Sequence, residues 1–415
     1  MASSRASSKP GARPAAALQS PSSSSAALWS ALHPPIAKAN PRGPHLVGVL
    51  TGEGVGPEVI AAALDVLDAA GEVAGVQFDL RRGGPIGLAA RLNAGVDLTD
   101  DVTGFCEGVF ADGGAVLCGP GGGRFVYDLR GRFDLYCKLA PIRPVTALRD
   151  AGVMRPESVD RVDIVVVREN VGGAYFGEHT ARRSDRQLRE AHHRYGYSAE
   201  QVARILRVAL DLARLRRNKL AVVVKPSGVP SISELWIEQA RTLSAGTGVE
   251  LELIEVDNAC YQVVAAAPRF DVVVAPNLFG DIVADTAALV LGSRGLSFSA
   301  NFGDNGRAVY QTGHGAAHDL AGRDAANPIG QIRSLAMMLH ESFGLAELRG
   351  AIECSIEAVV AEGWRTADMM TTGCTRIGTQ ELGRRIAERT RTEFERVRSP
   401  SSGNPALEVG ALSGG

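Results

Sequence analysis

The chain has 415 residues, 45% of them hydrophobic, and its 44 Lys+Arg against 46 Asp+Glu leave a formal net charge of -2. That length allows one or two packed domains plus tails, and the balanced charge supplies no global field to gather nucleic acid or an anionic membrane, so a small-molecule partner is the better expectation. The cysteines Cys106, Cys118, Cys137, Cys260, Cys354 and Cys374 lack CxxC spacing, which points to reduced thiols in a cytoplasmic protein and not to a zinc knuckle or redox pair.

Residues 1–52 contain no Asp or Glu, carry Arg5, Lys9, Arg13, Lys38 and Arg42, and are rich in Ser, Ala and Pro. Residues 1–44 are expected to be a disordered leader; the alternative is a transit peptide, which would place the protein in an organelle matrix. No apolar run reaches the ~18 residues of a membrane helix. Order is expected from His45, where HLVGVL reads as a buried strand that enters the glycine turn TGEGVGPE. A helix follows from Pro57 to Ala70, with Val59, Ile60, Ala63, Leu64 and Leu67 at helical spacing. Further strands are expected at 113–118, 162–167, 220–224, 251–256 and 271–275, and helical patterns at 199–214 and 231–243. This alternation indicates an α/β protein whose parallel or mixed sheet is covered by helices on both faces. The stretch 176–197 lacks apolar periodicity and reads as a protruding arm, and 397–415 as a disordered tail, with order ending near Arg396.

Several segments carry side chains suited to chemistry. In PNLFGDIVADTAALV, Asp281 and Asp285 fall four apart at the start of a helical run, on one helix face. Two carboxylates there can chelate Mg2+ or Mn2+, or can simply complement the helix N-terminus. Asp257 follows a strand, a position that suits either a ligand-binding acid or a helix cap. Arg168 ends the strand VDIVVV, where it can grip a carboxylate with two parallel hydrogen bonds or pair internally with Glu169; Tyr175 just beyond can deliver a proton or pack in the core. Lys225 follows LAVVV, where burial would lower its pKa enough for acid-base work, although a surface lysine is the default. The loop QTGHGAAHDLAGRDAANP suits a dinucleotide, with Asp319 able to accept from ribose hydroxyls and to repel a 2′-phosphate. Its glycines argue against a helix that would turn His314 and His318 into a metal pair. GEGVG at 52–56 is a weak dinucleotide fingerprint, because its third glycine comes one position early, and reads as a tight strand-to-helix turn.

Taken in this order, these segments resemble the β-decarboxylating dehydrogenases, the family of isopropylmalate, isocitrate, homoisocitrate and tartrate dehydrogenases, over roughly residues 45–395. GEGVGPEV is similar to the family's opening motif, with Glu53 in place of its usual Asp; DLYCKLAP, RENVGGAYFGE, NLFGDIVADTAALVLGSRGLSFSANFG and HGAAHDLAGRDAANP follow its later motifs. The resemblance implies an isopropylmalate-dehydrogenase-like α/β fold that is not a true Rossmann fold, with two α/β domains around a mixed sheet. Residues 45–134 and 287–396 would form the larger, cofactor-side domain, and 135–286 the smaller one, with 176–197 as a dimer clasp. It implies Asp281, Asp285 and Asp257 as metal ligands and Lys225 with Tyr175 as the acid-base pair. Arg130 and Arg168 would grip substrate carboxylates, with Val126 and Lys138 beside the substrate. His314, Gly315, Asp319 and Asn327 would take the cofactor, with Asp319 favouring NAD. The lysine and the third acid would come from the partner subunit of a homodimer. The implied reaction is NAD-dependent oxidative decarboxylation of a 3-substituted malate.

Two departures bear on the substrate. Ala140 stands where the family carries an arginine, a loss of about 2–5 kcal/mol in binding unless Lys138 or Arg143 compensates. The loop GPGGGRFVYDLR at 119–130 is shorter than in typical isopropylmalate enzymes and lacks their acid-rich stretch, and its Arg124, Val126 and Tyr127 fit a substituent neither plainly aliphatic nor plainly carboxylate. The expectation closest in type is 3-isopropylmalate dehydrogenase. Isocitrate, homoisocitrate, tartrate or phosphonate-bearing malate dehydrogenases are alternatives, as is a non-catalytic regulatory subunit, which the loss at Ala140 would explain.

Overall fold

Short runs of Val, Ile and Leu bounded by turn residues form the strands that frame the molecule. In the computed structural model, which describes residues 28–34 and 43–398, these are β1 (His45–Leu50), β2 (Phe78–Arg82), β3 (Ala115–Cys118), β4 (Cys137–Ile142), β5 (Ile164–Glu169), β6 (Glu178–Ser184), β7 (Gln187–Arg194), β8 (Lys219–Val224), β9 (Glu250–Glu255), β10 (Val272–Ala275), β11 (Phe298–Phe302) and β12 (Ala308–Thr312). Ten of them join one sheet in the order β2-β1-β3-β12-β11-β4-β5-β10-β8-β9. Parallel pairing links β2, β1, β3 and β12 on one side and β5, β10, β8 and β9 on the other, while β11 and β4 connect the sets through antiparallel ladders. The sheet is therefore mixed, and it runs unbroken between the two expected halves of the chain.

Strand alternation divides the interior. On β1 and β3, Val47, Val49, Ala115 and Leu117 face the main core, whereas Leu46, Leu50, Val116 and Cys118 face a second cluster with Ile86, Cys106, Phe125 and Leu129. Both faces are thus covered, as buried parallel strands require. The helix Ala199–Leu215 starts at a capping box: Gln201 N donates to Ser198 Oγ (3.3 Å), and Ser198 N donates to Gln201 Oε1 (3.0 Å). It buries Val202, Ile205, Leu206, Ala209 and Leu212, a stripe at helical spacing. The stretch between Phe176 and Tyr197 forms the antiparallel hairpin β6–β7, exposed at every residue. The cysteines are free. Among the described residues no helix is long and apolar enough to cross a membrane.

The leader differs from expectation at one point. Residues 1–27 and 35–42 lie outside the described residues, but Trp29–Leu32 forms a helical turn in which Trp29 is 5% exposed. Its indole lies flat on Phe302, with centroids 4.6 Å and planes 7° apart, and Ser30 N donates to Glu341 Oε2 (2.7 Å). Local composition could not reveal this, because the aromatic partner of Trp29 sits far along the chain. At the other end, the helix Thr379–Arg398 passes Arg396, and residues 399–415 of the expected tail lie outside the described residues.

Candidate active site

The candidate residues collect at the carboxyl ends of β5, β8, β9 and β10, where a parallel sheet releases its loops. Arg168, on β5 and 3% exposed, is held by Asn277, the first residue of the helix Asn277–Ala287 that follows β10. Asn277 Oδ1 accepts from Arg168 Nε (3.0 Å) and Nη2 (2.8 Å), Asn277 Nδ2 donates to Gly172 O (2.8 Å), and Asn277 N donates to Tyr197 Oη (2.8 Å). The remaining arm of the guanidinium, Nη1, pairs with Asp281 Oδ1. Glycine makes this closeness possible, since a Cβ at Gly280 would lie 2.9 Å from Arg168 Cγ. Arg168 therefore does not pair with Glu169, which instead accepts the amides of Val171 and Gly172 (3.0 Å each).

Tyr175 is not a core residue either. Its Oη donates to Asp281 Oδ2 (2.8 Å), and its ring lies 5.4 Å from the Arg168 guanidinium carbon. Burial and the bond to Asp281 push the phenol pKa well up, so it stays protonated and able to give a proton. Burial works to raise the pKa of Asp281, but Arg168, Lys138, the Tyr175 phenol and Arg130 together outweigh it and hold it below the usual carboxylate range. Lys138 lies in register with Arg168 across the β4–β5 ladder. Its pKa is pushed down to about 7 by burial and by Arg130 and Arg168, only partly offset by Asp281 and Asp285. Burial is the larger cause, and the two guanidiniums add a repulsion that a bound anion would relieve. Ala140, on the same strand, is 8% exposed and packs in the main core. Arg143 belongs elsewhere: its carbonyl accepts from Arg333 Nη1 (3.1 Å), and its charge acts on Glu353.

The helix Phe125–Arg132 supplies the opposite wall. Arg130, 6% exposed, lies 5.7 Å from the ring of Tyr127, which in turn meets the Tyr175 ring at 4.9 Å. Arg124 also lies against Tyr127 (5.3 Å) and donates from Nη1 to Tyr175 O (3.3 Å). Val126, one residue away, turns instead towards the second core cluster, so Tyr127 takes the position beside Tyr175.

Lys225 and Asp257 form a separate group. Lys225 Nζ donates to Asp257 Oδ1 (2.7 Å) and to Glu255 Oε2 (2.5 Å), and these two acids raise its pKa. Of the two readings open for Lys225, this fits the default of a surface lysine, because the side chain is partly exposed and sits between two carboxylates, so its pKa is not lowered. Asp285 pairs with Arg294 (2.9 Å), one helical turn beyond Asp281. Asp281 and Asp285 offer the oxygen pair a hard divalent cation prefers. Among the described residues of one chain, however, no three His, Cys, Asp or Glu side chains converge to hold a metal.

The expected cofactor loop follows β12. His314 Nδ1 donates to Gly315 O (2.9 Å), while its buried Nε2 has no hydrogen-bond partner. Burial lowers its pKa, leaving the imidazole neutral. Gly315 is exposed, and Asp319 is exposed with no hydrogen bond or ion pair among the described residues. Asn327 is committed to the protein: its Oδ1 accepts from Ile329 N (3.0 Å) and its Nδ2 donates to Asp368 Oδ2 (3.0 Å). The loop meets the glycine turn after β1 where Val55 N donates to Ala316 O (2.9 Å). Gly54, at φ +58°, is required there, because a Cβ would fall 1.9 Å from Ala316 O.

Comparison with known proteins places this geometry. The isocitrate/isopropylmalate dehydrogenase family model matches residues 46–386. The chain belongs to that family. It is 39% identical to the 3-isopropylmalate dehydrogenase of Pseudomonas fluorescens (strain Pf0-1) over 353 residues, 81% of this chain and 96% of the relative. It is 36% identical to that of Aquifex aeolicus (strain VF5) over 356 residues, 82% and 96% of the two chains. Among solved structures, the isocitrate dehydrogenase of Methylococcus capsulatus superposes with a TM-score of 0.73 at 30% identity, covering 84% of this chain and 99% of that one. The family membership makes this chain an isopropylmalate-dehydrogenase-like decarboxylating dehydrogenase, a class that works with a nucleotide cofactor and a divalent metal.

Within this family frame, sequence reasoning missed Asn277 and Tyr197. Neither has titrating chemistry at neutral pH, and their role as braces of Arg168 and Gly172 exists only once β10 and the segment after β7 are brought together. Asn277 did carry one signal, since it opens the same motif as Asp281 and Asp285.

Proposed function

We propose that this chain catalyses the NAD-dependent oxidative decarboxylation of a 3-substituted malate, closest in type to 3-isopropylmalate, as a homodimer with shared active sites. The observation that carries this reading is the joint hold of Tyr175 and Arg168 on Asp281, with Lys138 and Arg130 close enough to act on its charge. A proton donor, carboxylate grips and a metal-ligating acid meet there in one half-buried cluster.

Asp281 and Asp285 would hold Mg2+ or Mn2+, with Asp257 arriving from the partner subunit. That origin accounts for the lack of a three-acid group among the described residues of one chain, where Asp257 pairs with Lys225 instead. When bound, the metal supplies Lewis-acid stabilisation of charge on the substrate oxygens. Arg168 and Arg130 bind the substrate carboxylates, Lys225 of the second subunit relays the hydroxyl proton by taking it up as it hands its own to Glu255 beside it, and Tyr175 protonates C3 after carbon dioxide leaves. The free carboxylate of Asp319 and the unpartnered His314 Nε2 suit NAD, and a negative charge at Asp319 disfavours a 2′-phosphate.

Lys138 supports a catalytic chain over a regulatory one. A cation two residues from Ala140 on the same strand replaces the missing arginine's charge, displaced along the strand by roughly 6–7 Å. With Mn2+ and NAD, purified protein should reduce the cofactor on at least one of isopropylmalate, isocitrate, homoisocitrate, tartrate, malate and a phosphonate-bearing malate. Silence on the whole panel with NAD binding intact would overturn the proposal.

A further inference from the structure

The wall that faces Tyr175 hangs from a loop with almost no side chains of its own. Between β3 and the helix Phe125–Arg132 the chain reads GPGGGR, residues 119–124. Such a segment is costly to fix, since each glycine gives up more backbone freedom on ordering than any other residue. It is fixed here from outside, by two acids.

Glu53 is 7% exposed. Its Oε2 accepts from Gly122 N (2.8 Å) and its Oε1 accepts from Leu88 N, while its own amide donates to Pro120 O (2.7 Å). Asp97 is 5% exposed, and its Oδ2 accepts from Arg124 N (2.6 Å). Arg91 closes over both Asp97 oxygens at 2.5 Å, and the Glu53 carboxylate adds to the charge that holds Arg91 protonated. Buried carboxylates are tolerated only when donors satisfy them, so these acids and the loop amides hold each other in place. The fit is close, since a Cβ at Gly123 would lie 2.4 Å from Asp97 Oδ2.

Side-chain length matters at Glu53. Aspartate is shorter by one C–C bond, about 1.5 Å, and could not span Gly122 N and Leu88 N from the same backbone. Neither acid faces the reacting groups. The residues they hold do, because Arg124 and Tyr127 follow within a few positions and lie against Tyr175.

We propose that Glu53 and Asp97 are positioning residues for substrate selectivity. By holding the amides of Gly122 and Arg124, they set how far the Arg124–Tyr127 wall stands from Tyr175, and hence which C3 substituent the site admits. The proposal rests on the malate-type reading of the site.

The test compares wild type with Glu53→Asp and Asp97→Asn, using malate and the best-accepted 3-substituted malate from the panel. The ratio of kcat/KM for the substituted over the unsubstituted substrate should fall about tenfold, through KM, with kcat on malate within about twofold. Equal losses on both substrates, or an unchanged ratio, overturn the proposal, since a residue that only stabilises the fold does not discriminate by substituent. Amide hydrogen exchange over residues 119–124 gives a readout free of turnover. It should quicken at least tenfold in either variant, and unchanged exchange overturns the proposal even if the ratio moves. If wild type is silent on every malate, the functional reading falls and takes the selectivity claim with it. Faster exchange in the variants would then mark the brace as structural only.

Discussion

Tyr175 Oη stands 2.8 Å from Asp281 Oδ2, and the other oxygen of the same carboxylate takes Arg168. One acid thereby orients both the proton donor and a carboxylate grip. Removing the phenol in Tyr175→Phe should lower kcat by about 10²- to 10⁴-fold, the usual weight of a positioned general acid, with KM little changed. Steady-state kinetics on the accepted malate checks this, and a loss confined to KM would assign Tyr175 to binding.

Lys225 and Asp257 pair with each other in the single chain, so a shared site makes a sharp prediction. Tyr175→Phe and Lys225→Met, each inactive alone, should recover activity when unfolded and refolded together. Each mixed dimer keeps one site with both groups intact, giving about a quarter of wild-type activity after random pairing. No recovery from a verified dimer would place the site within one chain.

Lys138 predicts a pH dependence. Its folded pKa lies at about 7 against 10.5 for an unperturbed lysine. Below the lower value both states hold the proton and the folded state bears the burial and repulsion. Between the two values the unfolded chain holds a proton that the folded chain lacks, so stability rises with pH across that window. Metal-free, substrate-free Lys138→Met should therefore melt above wild type at about pH 6, with the gap closing towards about pH 10. Calorimetric melts over that range decide it, and a gap that widens with pH would refute the assignment.

Trp29 is buried against Phe302 although it belongs to the N-terminal segment. Trp29→Ala should cost about 3 kcal/mol, the low end for core tryptophan, because the segment can peel away without disturbing the sheet. Denaturant melts measure it. A change under about 0.5 kcal/mol, the size of an ordinary surface substitution, would show that the stack adds nothing to stability.

The interior strands were legible because Val- and Ile-rich runs such as 164–167 and 272–274 bury on both faces and so carry no ambiguous alternation. Harder to see were β11, β12 and the β4 strand inside DLYCKLAP, each of which pairs on one side with a strand more than a hundred positions away. In the site, Arg168, Tyr175 and Asp281 were readable from motif order, and their mutual contact follows it. The protonation of Lys225 was not readable, because it depends on Glu255, a residue that reads as an ordinary strand end. The same limit applies to Val126 and Tyr127: only the rotation of their short helix decides which one meets Tyr175.

The turn after β1 has two clients. Glu53 N bonds Pro120 O and Val55 N bonds Ala316 O, two residues apart on one short piece of backbone. An insertion or deletion there would shift the substituent wall and the His314 loop together, by the same displacement. Loop transplants from relatives with other substrates should therefore carry the 52–56, 119–124 and 313–327 segments as a set, since any one of them grafted alone inherits the register of its former neighbours.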